Sequence, residues 1–220
     1  MGDILGGGLI LTLGSFFINL AGLDVGSPSG GIGSSRSVMI SILAEPTLIV
    51  VFVGITLMAQ SMLPFVVNHL LVAHPEVYWG PTHLFLVIAF FILLLMETDH
   101  LPVHSDTHIE VYMIEEARIL EYAGPLHALL AWASMMKRYI LYTIFLNVLL
   151  IPWGLPAPAA TSAGTVALAA VVLFGKQLLV AAAMIFVDTV QSRLRFYRYQ
   201  EPLAASFLFA ILAIVATQVR

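Results

Sequence analysis

Cysteine is absent from the 220 residues. The chain alone therefore supplies no disulfide framework, no thiolate zinc site and no cysteine-ligated iron–sulfur cluster. Charge is scarce too. Only 10% of residues are Asp, Glu, Lys or Arg, against about 25% in an ordinary soluble domain. The formal net charge of -4 lacks the basic footprint of a nucleic-acid binder. A secretory leader is not expected either, because Met1 is followed by an acid and glycines with no basic stretch. The first apolar segment is expected to remain as a membrane span.

What fills the chain is apolar. Hydrophobic residues make up 60% of it, and the mean hydropathy is +0.98. Apolar runs of roughly 18 residues or more recur, each long enough for a hydrocarbon core about 30 Å thick. Most of them have no polar face, which a soluble helical core would need. The reading is an all-α, polytopic transmembrane helix bundle forming a single integral membrane domain over residues 1–220. About six spans are expected: Ile4 to Leu23, Val38 to Met62, His83 to Met96, Gly124 to Trp153, Thr165 to Val187 and Leu203 to Val219.

The connections carry turn chemistry. Residues 22–36, GLDVGSPSGGIGSSR, are rich in Gly and Ser; 72–83 and 152–164 hold prolines. Trp79 and Trp153 suit an aromatic belt at the bilayer surface. Arg36, Arg118, Arg193, Arg195 and Arg198 fall in the first, third and fifth connections, and none falls in 64–82 or 154–164. The positive-inside rule then puts those three connections in the cytoplasm and the N-terminus outside.

Ionisable groups in hydrocarbon usually pair or line a polar cavity. Glu45 lies inside the second span, directly before Pro46, and Lys176 lies midway along the fifth. Both point to an interior polar pathway. Glu97 closes the third span, where it either joins such a pathway or simply meets water. Lys137 and Arg138 interrupt the fourth span, where they either pair or line a polar cavity or, if the helix is tilted, snorkel to the surface.

The stretch IEVYMIEEARILEY, residues 109–122, crowds Glu110, Glu115, Glu116 and Glu121 together. On a helix Glu110 and Glu121 share a face, about 16 Å apart along the axis, and Arg118 can pair with Glu115 or Glu121. One reading is a solvated surface helix with local ion pairs. The other follows from the continuation through Gly124-Pro125 into the fourth span, which makes the acidic row the mouth of that span. Carboxylates crowded at a bilayer repel one another and lose water, which favours proton binding, and such groups pass protons along water chains. His100, His104 and His108 recur every four residues, but Pro102 interrupts a helix there. Interfacial histidines that change charge near neutral pH are the simpler account, with a metal site as the alternative.

Residues 97–154 resemble the membrane component of energy-converting nickel–iron hydrogenases and formate hydrogenlyases, which is similar to the NADH dehydrogenase subunit 1 family of respiratory complex I. The residues that carry the likeness are Glu97-Thr98, Pro102, Thr107-His108, Glu110, Glu116 and Glu121-Tyr122. Residues 22–46, GLDVGSPSGGIGSSRSVMISILAEP, are similar to the family's Gly-Ser-Pro and Gly-x-x-Arg loop and its membrane Glu-Pro. Residues 176–202 are similar to its penultimate span and basic exit loop. The likeness covers about residues 8 to 218, and the hydrogenase branch fits better than complex I. There are departures. The family usually has eight spans, so two N-terminal ones are expected to be missing, encoded separately or lost through a misplaced start. His100 and His104 stand where the family has Arg and Asp.

The resemblance implies a joint between a peripheral redox module and antiporter-like membrane subunits in a cytoplasmic (inner) membrane. It implies a proton or sodium path through Glu45, Glu97, Glu110, Glu116, Glu121 and Lys176. Arg36, His100, His104, His108, Arg118, Arg193 and Arg195 would lie at the cavity or docking loops. No cofactor is expected in this chain; iron–sulfur clusters and a nickel–iron centre belong to the partners. A quinone is compatible with the resemblance, but no residue here calls for one. Against this stands a passive anchor that docks a hydrogenase or dehydrogenase module with no ion path. An independent carrier is less favoured, since no symmetric halves are visible.

Overall fold

The structure, a computed structural model, describes residues 2–98, 116–154, 163–190 and 200–219. Among these residues every regular element is helical: α1 (Ile4–Asp24), α2 (Pro28–Ala59), α3 (Pro64–Ala73), α4 (Pro75–Tyr78), α5 (Pro81–Glu97), α6 (Glu116–Ile119), α7 (Pro125–Ile144), α8 (Ala163–Val190) and α9 (Gln200–Val219). A π-helix, Phe145–Leu150, continues α7.

Local chemistry sets the helix starts. The Asp3 carboxylate accepts from the Gly6 amide at 3.1 Å and caps α1. Ser27 caps α2 through the Gly30 amide, with Pro28 in the first turn, the pairing that best satisfies free amides at a helix start. Much of the Gly- and Ser-rich stretch expected as a loop is therefore helical, and α2 begins ten residues before Val38. Its glycines give α1, α2 and α6 close approach. A Cβ on Gly30 would strike the Gly22 carbonyl, and one on Gly33 would strike Ala117. The helix runs through Pro46, as membrane helices tolerate when neighbours satisfy the freed groups. The region 64–82 holds α3, whose buried Val67, Asn68 and Leu71 form one stripe.

The core lies between α2, α5 and α9. Phe52 stacks on Phe90 at 5.9 Å, and Phe85 stacks on Phe209 at 6.2 Å. The Ser206 hydroxyl donates to the Ala89 carbonyl at 2.7 Å. These pairings run α5 antiparallel to both α2 and α9. The α1–α2 pair is also antiparallel, closed at one end by the Ile4 amide on the Met62 carbonyl. Helix α8 buries a single stripe, Lys176, Val180 and Met184. Large apolar side chains on the outer faces of α1, α7, α8 and α9 stay exposed, as in a protein whose surroundings are lipid or other membrane subunits.

Four helices among the described residues, not six, are long and apolar enough to cross a membrane by themselves: Ile4–Asp24, Pro28–Ala59, Gly164–Val187 and Gln200–Gln218. The other two expected spans fall short for different reasons. Helix α5 has 17 residues, about 25 Å of rise. Helix α7 carries Lys137 and Arg138 in its interior, which dilute its apolar character.

Candidate functional site

Helices α1, α2, α5 and α7 bring four polar side chains to one level. Lys137 of α7 turns inward; it does not snorkel. Its Nζ donates to Glu97 Oε2 at 2.5 Å and to the Ser15 hydroxyl at 2.7 Å. Glu97 is 10% exposed and Lys137 22%, so the pair is largely withdrawn from its surroundings. Glu45 of α2 lies near enough to feel the charges of both Glu97 and Lys137. Glu97 ends α5, but it does not sit at a surface. Its bridge to Ser15 lies nine residues before the end of α1, about 13 Å short of it. The Lys137 ammonium thus holds one carboxylate, Glu97, with a second, Glu45, within range of the pair's charges. Breaking a buried ion pair by removing one partner costs on the order of 3–5 kcal/mol.

Polar groups continue from this cluster toward the α1–α2 connection. One turn along α1, Asn19 Oδ1 accepts from Arg118 Nη1 at 2.8 Å, and the Ser37 hydroxyl accepts from the same nitrogen at 3.0 Å. Arg118 is 8% exposed; the missing side chain of Gly22 leaves room for its stem. Ser34 donates to the Asn19 carbonyl at 3.1 Å. Beyond Arg118, the Tyr122 hydroxyl donates to the Ala21 carbonyl at 2.9 Å. Glu121, exposed at the end of this column, accepts from Ser29 at 3.3 Å. A cleft of about 440 Å³ between α1 and α7, lined by Gly14, Phe17, Ile18, Ala133 and Lys137 among others, opens beside the inner cluster.

Lys176 belongs to a different cluster. Its Nζ donates to Asn147 Oδ1 at 3.1 Å and to the Ile151 and Trp153 carbonyls at 2.8 and 2.5 Å. The reason lies in the π-helix. The Ile151 amide bonds Leu146 O at 2.7 Å, and Pro152 has no N–H to offer, so the Asn147 carbonyl has no backbone donor in either the α or the π pattern. Asn68 of α3 supplies one at 2.6 Å and also donates to Pro152 O at 2.8 Å. His83 of α5 bonds the Leu149 carbonyl at 3.0 Å; a carbonyl only accepts, so Nε2 carries the proton. Three elements thus satisfy the carbonyls that a helix end leaves open.

Arg36 sits half-buried in the first third of α2, and Glu116 opens α6. Glu110, His100, His104, His108, Arg193 and Arg195 lie outside the described residues. Among the described residues no three His, Asp or Glu side chains gather as metal ligands. The sequence singles out Lys137 as a charge inside a span without placing it at the site, and it does not mark Ser15, Asn19, Asn68, His83 or Asn147. A signal for Asn147 existed: it precedes Pro152 by five residues, the offset at which a missing N–H matters to a π-turn.

A protein-family model described as NADH dehydrogenase matches residues 2–218. Formate hydrogenlyase subunit 4 of Escherichia coli (strain K12) is 26% identical over 218 residues, which cover 98% of this chain and 68% of that protein. Hydrogenase-4 component C of the same organism is 29% identical over 155 residues, covering 70% of this chain and 47% of that protein.

Proposed function

We propose, from the premise that this chain belongs to the NADH dehydrogenase family, that it is a membrane subunit of a hydrogenase- or formate hydrogenlyase-type complex. In that role it docks a peripheral redox module and couples electron transfer there to proton or sodium movement through its own carboxylates. The names of the two similar proteins support the type of complex. The partners are an iron–sulfur small subunit and a large subunit, which carry the clusters and the nickel–iron centre, together with antiporter-like membrane subunits. The setting is the cytoplasmic membrane.

The observation that carries the coupling role is the Glu45–Glu97–Lys137 cluster. The Lys137 ammonium holds Glu97, and Glu45 lies within range of both charges, so a change of charge at Glu45 is felt by the pair. Arg118, Asn19 and Ser37 extend polar contacts from it to Glu121 and Ser29 at the α1–α2 end. Glu110 and Glu116 join the entrance in this reading, with Arg36 of α2 at the cavity and Arg193, Arg195 and the three histidines on the docking loops. Lys176 is left out of the path, because its described partners are backbone carbonyls and an amide, none of which takes up a proton near neutral pH.

The test uses the assembled complex in inside-out membrane vesicles. Glu45→Gln and Glu97→Gln should keep the redox activity of the peripheral module while ion pumping falls at least tenfold. If both variants pump normally, the coupling role is wrong. If both lose the peripheral module and show no separate coupling defect, the chain is a passive anchor.

A further inference from the structure

The two polar clusters lie on either side of a layer of phenyl rings. Phe90 of α5 is seven residues from Glu97 and seven from His83, about 10 Å along the helix in each direction. Phe52 of α2 likewise follows Glu45 by seven residues. Ring centroids are 5.9 Å apart for Phe52–Phe90, 5.8 Å for Phe90–Phe145 and 5.9 Å for Phe91–Phe145. Phe52 and Phe90 are fully buried, as are Leu86, Leu93, Leu94 and Leu146 around them. Residues 84–96 of α5 contain no polar side chain. Polar side chains near this level are tied to helix carbonyls or to each other: Ser206 donates to Ala89 O at 2.7 Å, Thr56 to Val53 O at 2.8 Å and Thr143 to Tyr139 O at 2.7 Å, while Thr143 accepts from Gln177 at 2.8 Å.

We infer that the packed rings of Phe52, Phe90, Phe145 and Phe91 are a dry barrier that closes the polar column, so that an ion reaching Glu45 and Glu97 has no passage to the Lys176 side through the described core of α2, α5 and α7. An apolar constriction of this kind excludes water, and without water or polar groups a proton has no chain to follow. The two clusters then do separate work: the upper one exchanges charge and the lower one holds backbone. This inference rests on the coupling role of Glu45 and Glu97, and it adds the element that keeps their column from short-circuiting the membrane.

The test places a pH gradient across vesicles holding the assembled complex, without electron donor, and follows its decay with a fluorescent pH-gradient dye. Phe90→Ser combined with Phe145→Ser should speed the decay several-fold over wild type, while Phe90→Leu, still apolar, should leave it unchanged. A wild-type decay rate in the assembled double variant would overturn the barrier. Adding Glu97→Gln separates the two ideas: if the leak persists undiminished, the barrier stands but these carboxylates are not its entrance. Where the double variant does not assemble, the cysteine-free chain allows direct labelling. A charged, membrane-impermeant thiol reagent added from the α1–α2 side should modify Ser15→Cys and leave Asn147→Cys untouched. Modification of both from that side would sink the proposal.

Discussion

Lys137 and Lys176 are both lysines in apolar helices, yet they are held in opposite ways. Lys137 meets a carboxylate at 2.5 Å and a hydroxyl at 2.7 Å, with a second carboxylate nearby. Lys176 meets two backbone carbonyls and an amide oxygen. The first set of partners includes carboxylates, whereas the second holds only neutral acceptors. Among the described residues no carboxylate pairs with Lys176. A buried charge thus marks function only when its partners are themselves ionisable; otherwise it can be a clamp on backbone that a helix end leaves open.

This contrast breaks most visibly at Lys137. Lys137→Met strands Glu97 beside Glu45, and the assembled complex should lose on the order of 3–5 kcal/mol of stability together with its coupling. The double variant Lys137→Met with Glu97→Gln should recover much of the stability and none of the pumping, read by thermal melting and by vesicle pH gradients. Lys176→Met should cost less, about 1–3 kcal/mol from carbonyls left without their donor, and the complex that remains should pump at the wild-type ratio of ions to electrons. A coupling defect at Lys176 in fully assembled complex would erase the distinction between the two lysines. The smallest effect belongs to Ser15→Ala, which removes one of Lys137's two acceptors. It should lower stability by about 0.5–1.5 kcal/mol and slow pumping modestly while redox activity is kept.

Part of this site was readable before any coordinates. Glu45 stands out because a carboxylate next to Pro46 inside an apolar run is rare, and Lys176 stands out because it is centred in its span. Neither position tells what faces it. Glu97 read equally well as a helix end in water, because depth along a chain is not depth in an assembly; α5 stops well short of the end of α1. Lys137 read either as a cavity charge or as a snorkelling residue because its acceptor is 40 positions away in the chain. The 109–122 stretch drew attention by composition, and what the structure describes there is Arg118 locked onto Asn19 and Ser37, with Glu121 at the exposed end. The Gly-Ser-Pro segment read as a loop because glycine is costly in helices; close contact between α1, α2 and α6 outweighs that cost.

The sequence by itself determined the membrane character, the all-helical class and the helix start at Asp3. Those follow from the summed free energy of burying apolar side chains and from capping bonds that reach only three residues. The tertiary structure alone decided that Glu97 and Lys137 pair, that Lys176 serves carbonyls, and that the rings of Phe52, Phe90, Phe91 and Phe145 pack together. Those outcomes depend on which helix faces meet, and such meetings join residues dozens of positions apart through contacts that no local pattern encodes.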